Sequence, residues 1–297
     1  MLLIEKYLSI KKKEVEEALE KYLSPTTTYP PIIHKAMRYS TFAGGKRIRP
    51  ILAISACEAV GGNTQDVIPF AAALELIHTY SLIHDDLPSI DNDDYRRGKL
   101  TCHKKFGEAI AILSGDALLT LAFEIMSKQG ITEKTNSSLV LRVIYEIAFA
   151  IGTSGMIGGQ VVDIISENKS TDAPTLQYIH THKTGNLICT SLRIGAILGG
   201  SSQNQLRLLT QYGEYIGLVF QIIDDILDIE GNKEVMGKSS QSDISKNKLT
   251  YPSVYGLEES KEWAKQLHQE ALTSLESFDH QADPLREIAK FIVQRSY

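Results

Sequence analysis

The segment Phe220-Gln-Ile-Ile-Asp-Asp-Ile-Leu-Asp-Ile229 constrains the fold more than any other stretch of the chain. Gln221, Asp224, Asp225 and Asp228 fall at i, i+3, i+4 and i+7, the spacing of one helix face, and their neighbours are Ile, Leu and Phe. Such a helix has no ordinary solvated side. Its apolar positions ask for burial nearly all round, while carboxylates four apart repel by roughly 0.2–0.5 kcal/mol even when exposed. It belongs inside an assembly of helices, with its acidic stripe turned towards cations.

The rest of the chain supplies that assembly. Val15, Ala18, Leu19 and Tyr22 keep helical spacing up to Pro25. Further helices are predicted over residues 32–43, 50–60, 67–86, 108–127, 137–151, 176–198 and 203–229, punctuated by Gly44-Gly45, Gly61-Gly62 and Leu87-Pro88. Near the end, Asp283-Pro284 forms an N-cap and N1 pair. No run alternates convincingly as a strand, no repeat recurs, and no Pro- or Ser-rich linker divides the 297 residues. The expectation is one all-α domain, a bundle of roughly ten or more helices.

A second acidic segment, Ser81-Leu-Ile-His-Asp-Asp-Leu-Pro-Ser-Ile-Asp91, closes the helix over residues 67–86. Carboxylates at a helix C-terminus meet a dipole end that is already negative, so Asp85 and Asp86 call for a compensating cation. Pro88 stops the helix and lets Asp91 fold back. Oxygen-only ligands suit a hard divalent ion, Mg²⁺ above all, with Mn²⁺ as the alternative. Mg²⁺ typically takes one or two carboxylates and fills its shell with water and phosphate oxygens. Cys57, Cys102 and Cys189 stand far apart, which disfavours both thiolate zinc and a disulfide framework. Two aspartate clusters therefore point to a magnesium-bound polyphosphate.

Basic residues match that ligand. Gly44-Gly-Lys-Arg-Ile-Arg-Pro50 sets Lys46, Arg47 and Arg49 beside a helix start, and Arg96-Arg97 follows the first aspartate motif. Lys183, Lys238 and Lys248 are further cations, and His78 lies seven residues before Asp85 on the same helix face. The chain carries 36 acids against 31 bases; leaving out the six motif aspartates, the remainder is close to neutral. A basic surface for nucleic acid is absent, so no nucleic-acid partner is expected. The longest uncharged run, Ile147 to Val162, is short and glycine-rich for a membrane span, and no signal peptide is evident. A cytoplasmic protein without stable membrane insertion is expected.

Taken together, the chain resembles the trans-isoprenyl diphosphate synthases. The resemblance rests on DDxxxxD at 85–91 with Arg96-Arg97-Gly98, and DDxxD at 224–228. GGKRIRP at 44–50, GDALL at 115–119, GGQVVDI at 158–164, HKTG at 182–185 and the stretch from Gly237-Lys238 to Lys248-Leu-Thr-Tyr-Pro252 follow in family order. It implies helices around a deep central cavity, a homodimer, and head-to-tail prenyl transfer. By resemblance, three Mg²⁺ ions would be held by Asp85, Asp86, Asp91, Asp224, Asp225 and Asp228. Lys46, Arg49, His78 and Arg97 would hold isopentenyl diphosphate. Arg96, Lys183, Lys248 and Lys238 would contact the allylic substrate, dimethylallyl or geranyl diphosphate, with Thr184 and Gln221 near the developing cation.

Tyr80 and Ser81 lie about one helical turn before Asp85, at about 1.5 Å rise per residue. In bacterial-type members an aromatic residue five positions before the first aspartate is associated with stopping at fifteen carbons, which implies a farnesyl product. A geranylgeranyl diphosphate synthase shares the remaining motifs and is the alternative. A non-catalytic regulatory subunit on the same fold would usually lack one aspartate motif, and a terpene cyclase would replace the second; both motifs stand here.

Overall fold

Helical spacing becomes helix throughout the computed structural model, which describes residues 2–132, 135–167, 172–230 and 250–294. The helices are α1 (Leu2–Tyr22), α2 (Pro31–Thr41), α3 (Ile48–Ala59), α4 (Thr64–Asp85), α5 (Cys102–Phe106), α6 (Glu108–Ile131) and α7 (Ser137–Ile151). There follow α8 (Met156–Ser166), α9 (Ala173–Ile179), α10 (Asn186–Leu198), α11 (Gln203–Glu230), α12 (Tyr251–Tyr255), α13 (Leu257–Thr273) and α14 (Asp283–Gln294). The all-α expectation holds. Lys238 and Lys248 lie outside the described residues.

Three local features depart from the expectation. Tyr95–Arg96 (β1) pairs antiparallel with Lys99–Leu100 (β2), the only sheet among the described residues. Its two-residue turn, Arg97-Gly98, has positive φ at both positions, the twist that tight hairpins favour. The predicted helix over 176–198 is also not continuous. A π-helical segment, His180–Gly185, interrupts it between α9 and α10. Asp283 is the first residue of α14 rather than its cap.

The helices cluster into two compact units. One comprises Glu5–Ile51 and Gln65–Ile144. Within it α4 is buried on nearly every side, from Val67 through Phe70 and Leu74 to Ile83, while α2 and α5 pack on α6. The other comprises Met1–Ile4, Leu52–Thr64 and Tyr145–Tyr297. There α11 packs on α10, α13 and α14. Small residues set the spacing: a Cβ on Gly213 would meet Cys189 Cα at 2.9 Å, and one on Gly217 would meet Gly185 Cα at 2.9 Å. The fully buried Tyr212 ties α11 to α14 by donating to the Leu285 carbonyl at 2.7 Å. Cys57, Cys102 and Cys189 form no disulfide among the described residues.

Three stretches, Thr64–Asp85, Glu108–Ile131 and Ser137–Ser166, are long and apolar enough to cross a membrane by length and composition. In the first, 67% of the most apolar window is buried within the protein; in each of the others, 39% is. The outward-facing remainder includes Leu141, Tyr145 and Phe149, which recur every four residues along α7.

Candidate active site

In the unit containing α4, glycine shapes the basic loop before α3. Gly44 and Gly45 have φ of +104° and +125°, and a Cβ on Gly45 would fall 2.6 Å from the Arg97 guanidinium. Arg97 thus lies across the loop and donates to the Gly44 carbonyl. Of the loop's cations, Arg47 turns inward. Its guanidinium donates to Glu75 at 2.6 Å and to the Thr41 carbonyl at 2.7 Å, so it anchors the loop to α4. Lys46 is exposed, and Arg49 Nη1 comes within 3.4 Å of His78 Nε2. Desolvation and the nearby guanidiniums of Arg49, Arg97, Arg96 and Arg47 hold the His78 pKa well below the usual range. His78 is therefore a neutral hydrogen-bonding group at pH 7.

The first aspartate motif splits into two environments. Asp85 ends α4 and is partly exposed, whereas Asp86 is 3% exposed. Arg96, on the hairpin, donates to Asp86 from Nε at 2.8 and 2.9 Å and from Nη2 at 2.6 Å. This is the compensating cation that the helix end called for, supplied by the chain itself. Asp91 does fold back: its amide donates to the Asp85 carbonyl at 2.8 Å, and that of Asn92 to the Leu87 carbonyl at 3.0 Å.

One turn before Asp85, Ser81 donates to the His78 carbonyl at 3.0 Å. Tyr80 is 5% exposed, and its buried hydroxyl has no hydrogen-bond partner among the described residues. Burial, with the Asp85 charge adding to it, raises its pKa to about 12. Its ring meets the ring of His84 edge-on.

The second motif lies on α11 in the other unit, and it too splits. Asp225 is 2% exposed and accepts at both oxygens, from Gln221 Nε2 and from the Tyr251 amide, each at 2.9 Å. His180 Nε2 stands 3.6 Å from the same carboxylate. Gln221 in turn accepts from Thr184 Oγ1 at 3.1 Å, so Thr184, Gln221 and Asp225 form one directed chain of hydrogen bonds. The π-helical segment makes this chain by placing His180, Lys183 and Thr184 together, a use that π-bulges often have. Lys183 donates to Asp163 on α8 at 2.6 Å. Room for that approach comes from Gly159, whose Cβ would fall 2.3 Å from the Lys183 amide.

The donor set fits Mg²⁺. Among the described residues no three His, Cys, Asp or Glu groups converge as a complete metal cage. Mg²⁺ needs none, since one or two carboxylates with water and phosphate suffice. Asp228 Oδ2 is buried without a hydrogen-bond partner among the described residues, an anionic oxygen in want of a cation. Asp224 is partly exposed on the same helix face. Four residues given no role in the sequence now have one: Glu75, Asp163, His180 and Tyr251. Of these, Asp163 and Tyr251 sat inside quoted motifs, and that was their only signal. Arg47, expected with Lys46 and Arg49 to face a polyphosphate, instead turns inward to Glu75 and the Thr41 carbonyl.

Comparison with known proteins gives a consistent answer. The polyprenyl synthetase family model matches residues 30–288. A geranylgeranyl diphosphate synthase of Cyanophora paradoxa is 47% identical over 98% of this chain and 96% of its own length. A farnesyl diphosphate synthase of Geobacillus stearothermophilus is 49% identical over 88% of this chain and 87% of its own. Among solved structures, an FPP/GFPP synthase from Zymomonas mobilis superposes with a TM-score of 0.87 at 37% identity, covering 98% of this chain and 99% of the other.

The buried His180 imposes a pH dependence on stability. Burial lowers its pKa to about 3, against the ordinary value of 6.5. Between those values the unfolded chain takes a proton that the folded chain refuses, so stability falls as pH drops below about 6.5. The expected loss from this one group is about 1.4 kcal/mol per pH unit. Urea unfolding at pH 7.5 and 5.5 should show that loss in the wild type and a correspondingly smaller one in His180→Gln.

Proposed function

Because the chain belongs to the polyprenyl synthetase family, prenyltransferases that elongate prenyl chains, we propose that it condenses isopentenyl diphosphate with dimethylallyl or geranyl diphosphate to give farnesyl diphosphate. The observation that carries the product is Tyr80, a buried aromatic ring on the α4 wall one turn before the metal motif. A fifteen-carbon tail running down that wall ends against it. The relatives named above include both farnesyl and geranylgeranyl synthases, so the product is the finer part of the proposal.

The residues divide the work. Arg97, Arg49 and Lys46 supply direct cations to the isopentenyl diphosphate, and neutral His78 supplies a hydrogen bond. Asp85 and Asp91 in one unit, and Asp224 and Asp228 in the other, are the carboxylates that would hold Mg²⁺, which when bound would neutralise charge on the allylic diphosphate. Asp86 and Asp225 keep these ligands in place through Arg96, Gln221 and Tyr251. A diphosphate that recruits Lys183 has to compete with Asp163 for it. Lys238 and Lys248 are assigned to the same diphosphate by family pattern.

The chemistry then follows from charge. The allylic C–O bond breaks and the diphosphate leaves with the electron pair. The isopentenyl double bond attacks the allylic carbocation, forming the new C–C bond. Loss of a proton from the adjacent carbon restores an alkene, and the departed diphosphate is the base. Thr184 and Gln221 offer oxygens to the developing cation, locked in orientation by the bond from Thr184 to Gln221 and that from Gln221 to Asp225. Apolar walls exclude water that would otherwise capture it. We assign Leu141, Tyr145 and Phe149 on α7 to the contact of a homodimer, and the protein to the cytoplasm.

Incubation with labelled isopentenyl diphosphate and each allylic starter tests this reading. Extension to fifteen carbons with Mg²⁺ and none with EDTA is expected, and Tyr80→Ala should extend the product to twenty. Light scattering of the same preparation should give twice the chain mass. Absence of metal-dependent extension contradicts the enzyme reading; a twenty-carbon product from the wild type contradicts only the farnesyl assignment.

A further inference from the structure

His84 precedes the metal-motif aspartates and has no part in the chemistry of prenyl transfer. Its Nε2 lies 3.1 Å from the Ile112 carbonyl oxygen on α6 and 3.8 Å from an Asp116 carboxylate oxygen. The ring fits there only because residue 115 is glycine: a Cβ at that position would fall 2.2 Å from His84 Nε2 and 2.5 Å from Cδ2. Gly115 lies within α6, where glycine costs roughly 1 kcal/mol relative to alanine, so the notch is made at the expense of helix stability.

What the notch secures is the neighbouring ring. Tyr80 stands one turn back on α4, and its ring meets His84 edge-on, with centroids 5.7 Å apart and planes at 82°. The Tyr80 hydroxyl is buried with no hydrogen-bond partner among the described residues, so packing rather than a polar tether fixes its orientation. On that packing surface His84 is the one ring in contact with Tyr80 among the described residues, and its own far end is pinned to α6.

We propose that His84, wedged into the Gly115 notch and tethered to the Ile112 carbonyl, is a positioning residue that holds the Tyr80 ring across the path of the growing prenyl chain. The inference rests on Tyr80 being the stop. Product length is then set by a stack from α6 to α4: Gly115 admits His84, His84 braces Tyr80, and Tyr80 meets the chain end.

Full-length Tyr80→Ala, His84→Ala, His84→Phe and Gly115→Ala proteins, supplied with geranyl diphosphate, isopentenyl diphosphate and Mg²⁺, test this through the ratio of twenty- to fifteen-carbon products. A ratio counts only product made, so it is indifferent to partial loss of folded enzyme. His84→Ala and Gly115→Ala should each raise it about fivefold, the scale of one lost edge-on ring contact. His84→Phe keeps the ring and should retain the fifteen-carbon product. If Tyr80→Ala lengthens the product while His84→Ala and Gly115→Ala keep the wild-type ratio, the bracing role is overturned and the stop stands. The bracing role is overturned equally if His84→Phe lengthens the product as much as His84→Ala. If Tyr80→Ala leaves product length unchanged, the stop itself falls, and the bracing role with it.

Discussion

A carboxylate sealed from water keeps its charge only where the surroundings supply donors, and at Asp86 and Asp225 the chain supplies them. Arg96 closes on Asp86 from two nitrogens, and Gln221 with the Tyr251 amide saturates Asp225. Each is the second aspartate of its motif and the more buried of the adjacent pair. The burial of these two carboxylates fixes the helix ends and loops from which Asp85, Asp91, Asp224 and Asp228 project. Without those partners, two charges would be stranded in an apolar helix environment at a cost of several kcal/mol each.

The same arrangement explains what surrounds the motifs. The hairpin β1–β2 carries Arg96 to Asp86 and, in the next residue, Arg97 to the glycine loop. The π-helical segment carries His180 towards Asp225 and Thr184 to Gln221. Irregular backbone thus occurs where a polar group has to be delivered to a particular atom. The regular helices elsewhere are held by apolar burial, with Tyr212 and the close glycine contacts of α11 as its clearest points.

Helices were legible because a 3.6-residue rhythm persists over long apolar stretches with Gly and Pro between them. The hairpin was not, because its strands are two residues long and carry Tyr, Arg, Lys and Leu without alternation. The π-helical segment was not, because helical spacing runs through it from residue 176 to 198 and it differs from its neighbours in hydrogen-bond register. The site residues were visible as residue types in a pattern, but the side each one turns to was not. Arg47 and Arg49 are two apart in one basic motif; Arg47 is sealed against Glu75, and Arg49 lies beside His78. Asp85 and Asp86 are adjacent and alike in sequence, yet Asp85 stays partly exposed while Asp86 is sealed against Arg96.

The pair Asp86–Arg96 tests the account most directly, through a double-mutant cycle of urea unfolding in EDTA on wild type, Asp86→Asn, Arg96→Gln and the double variant. If Asp86 is a structural carboxylate held by Arg96, each single change costs about 3 kcal/mol without any metal present, and the double variant costs far less than their sum. Single variants as stable as the wild type in EDTA, or costs that simply add, would contradict it and return Asp86 to the metal ligands.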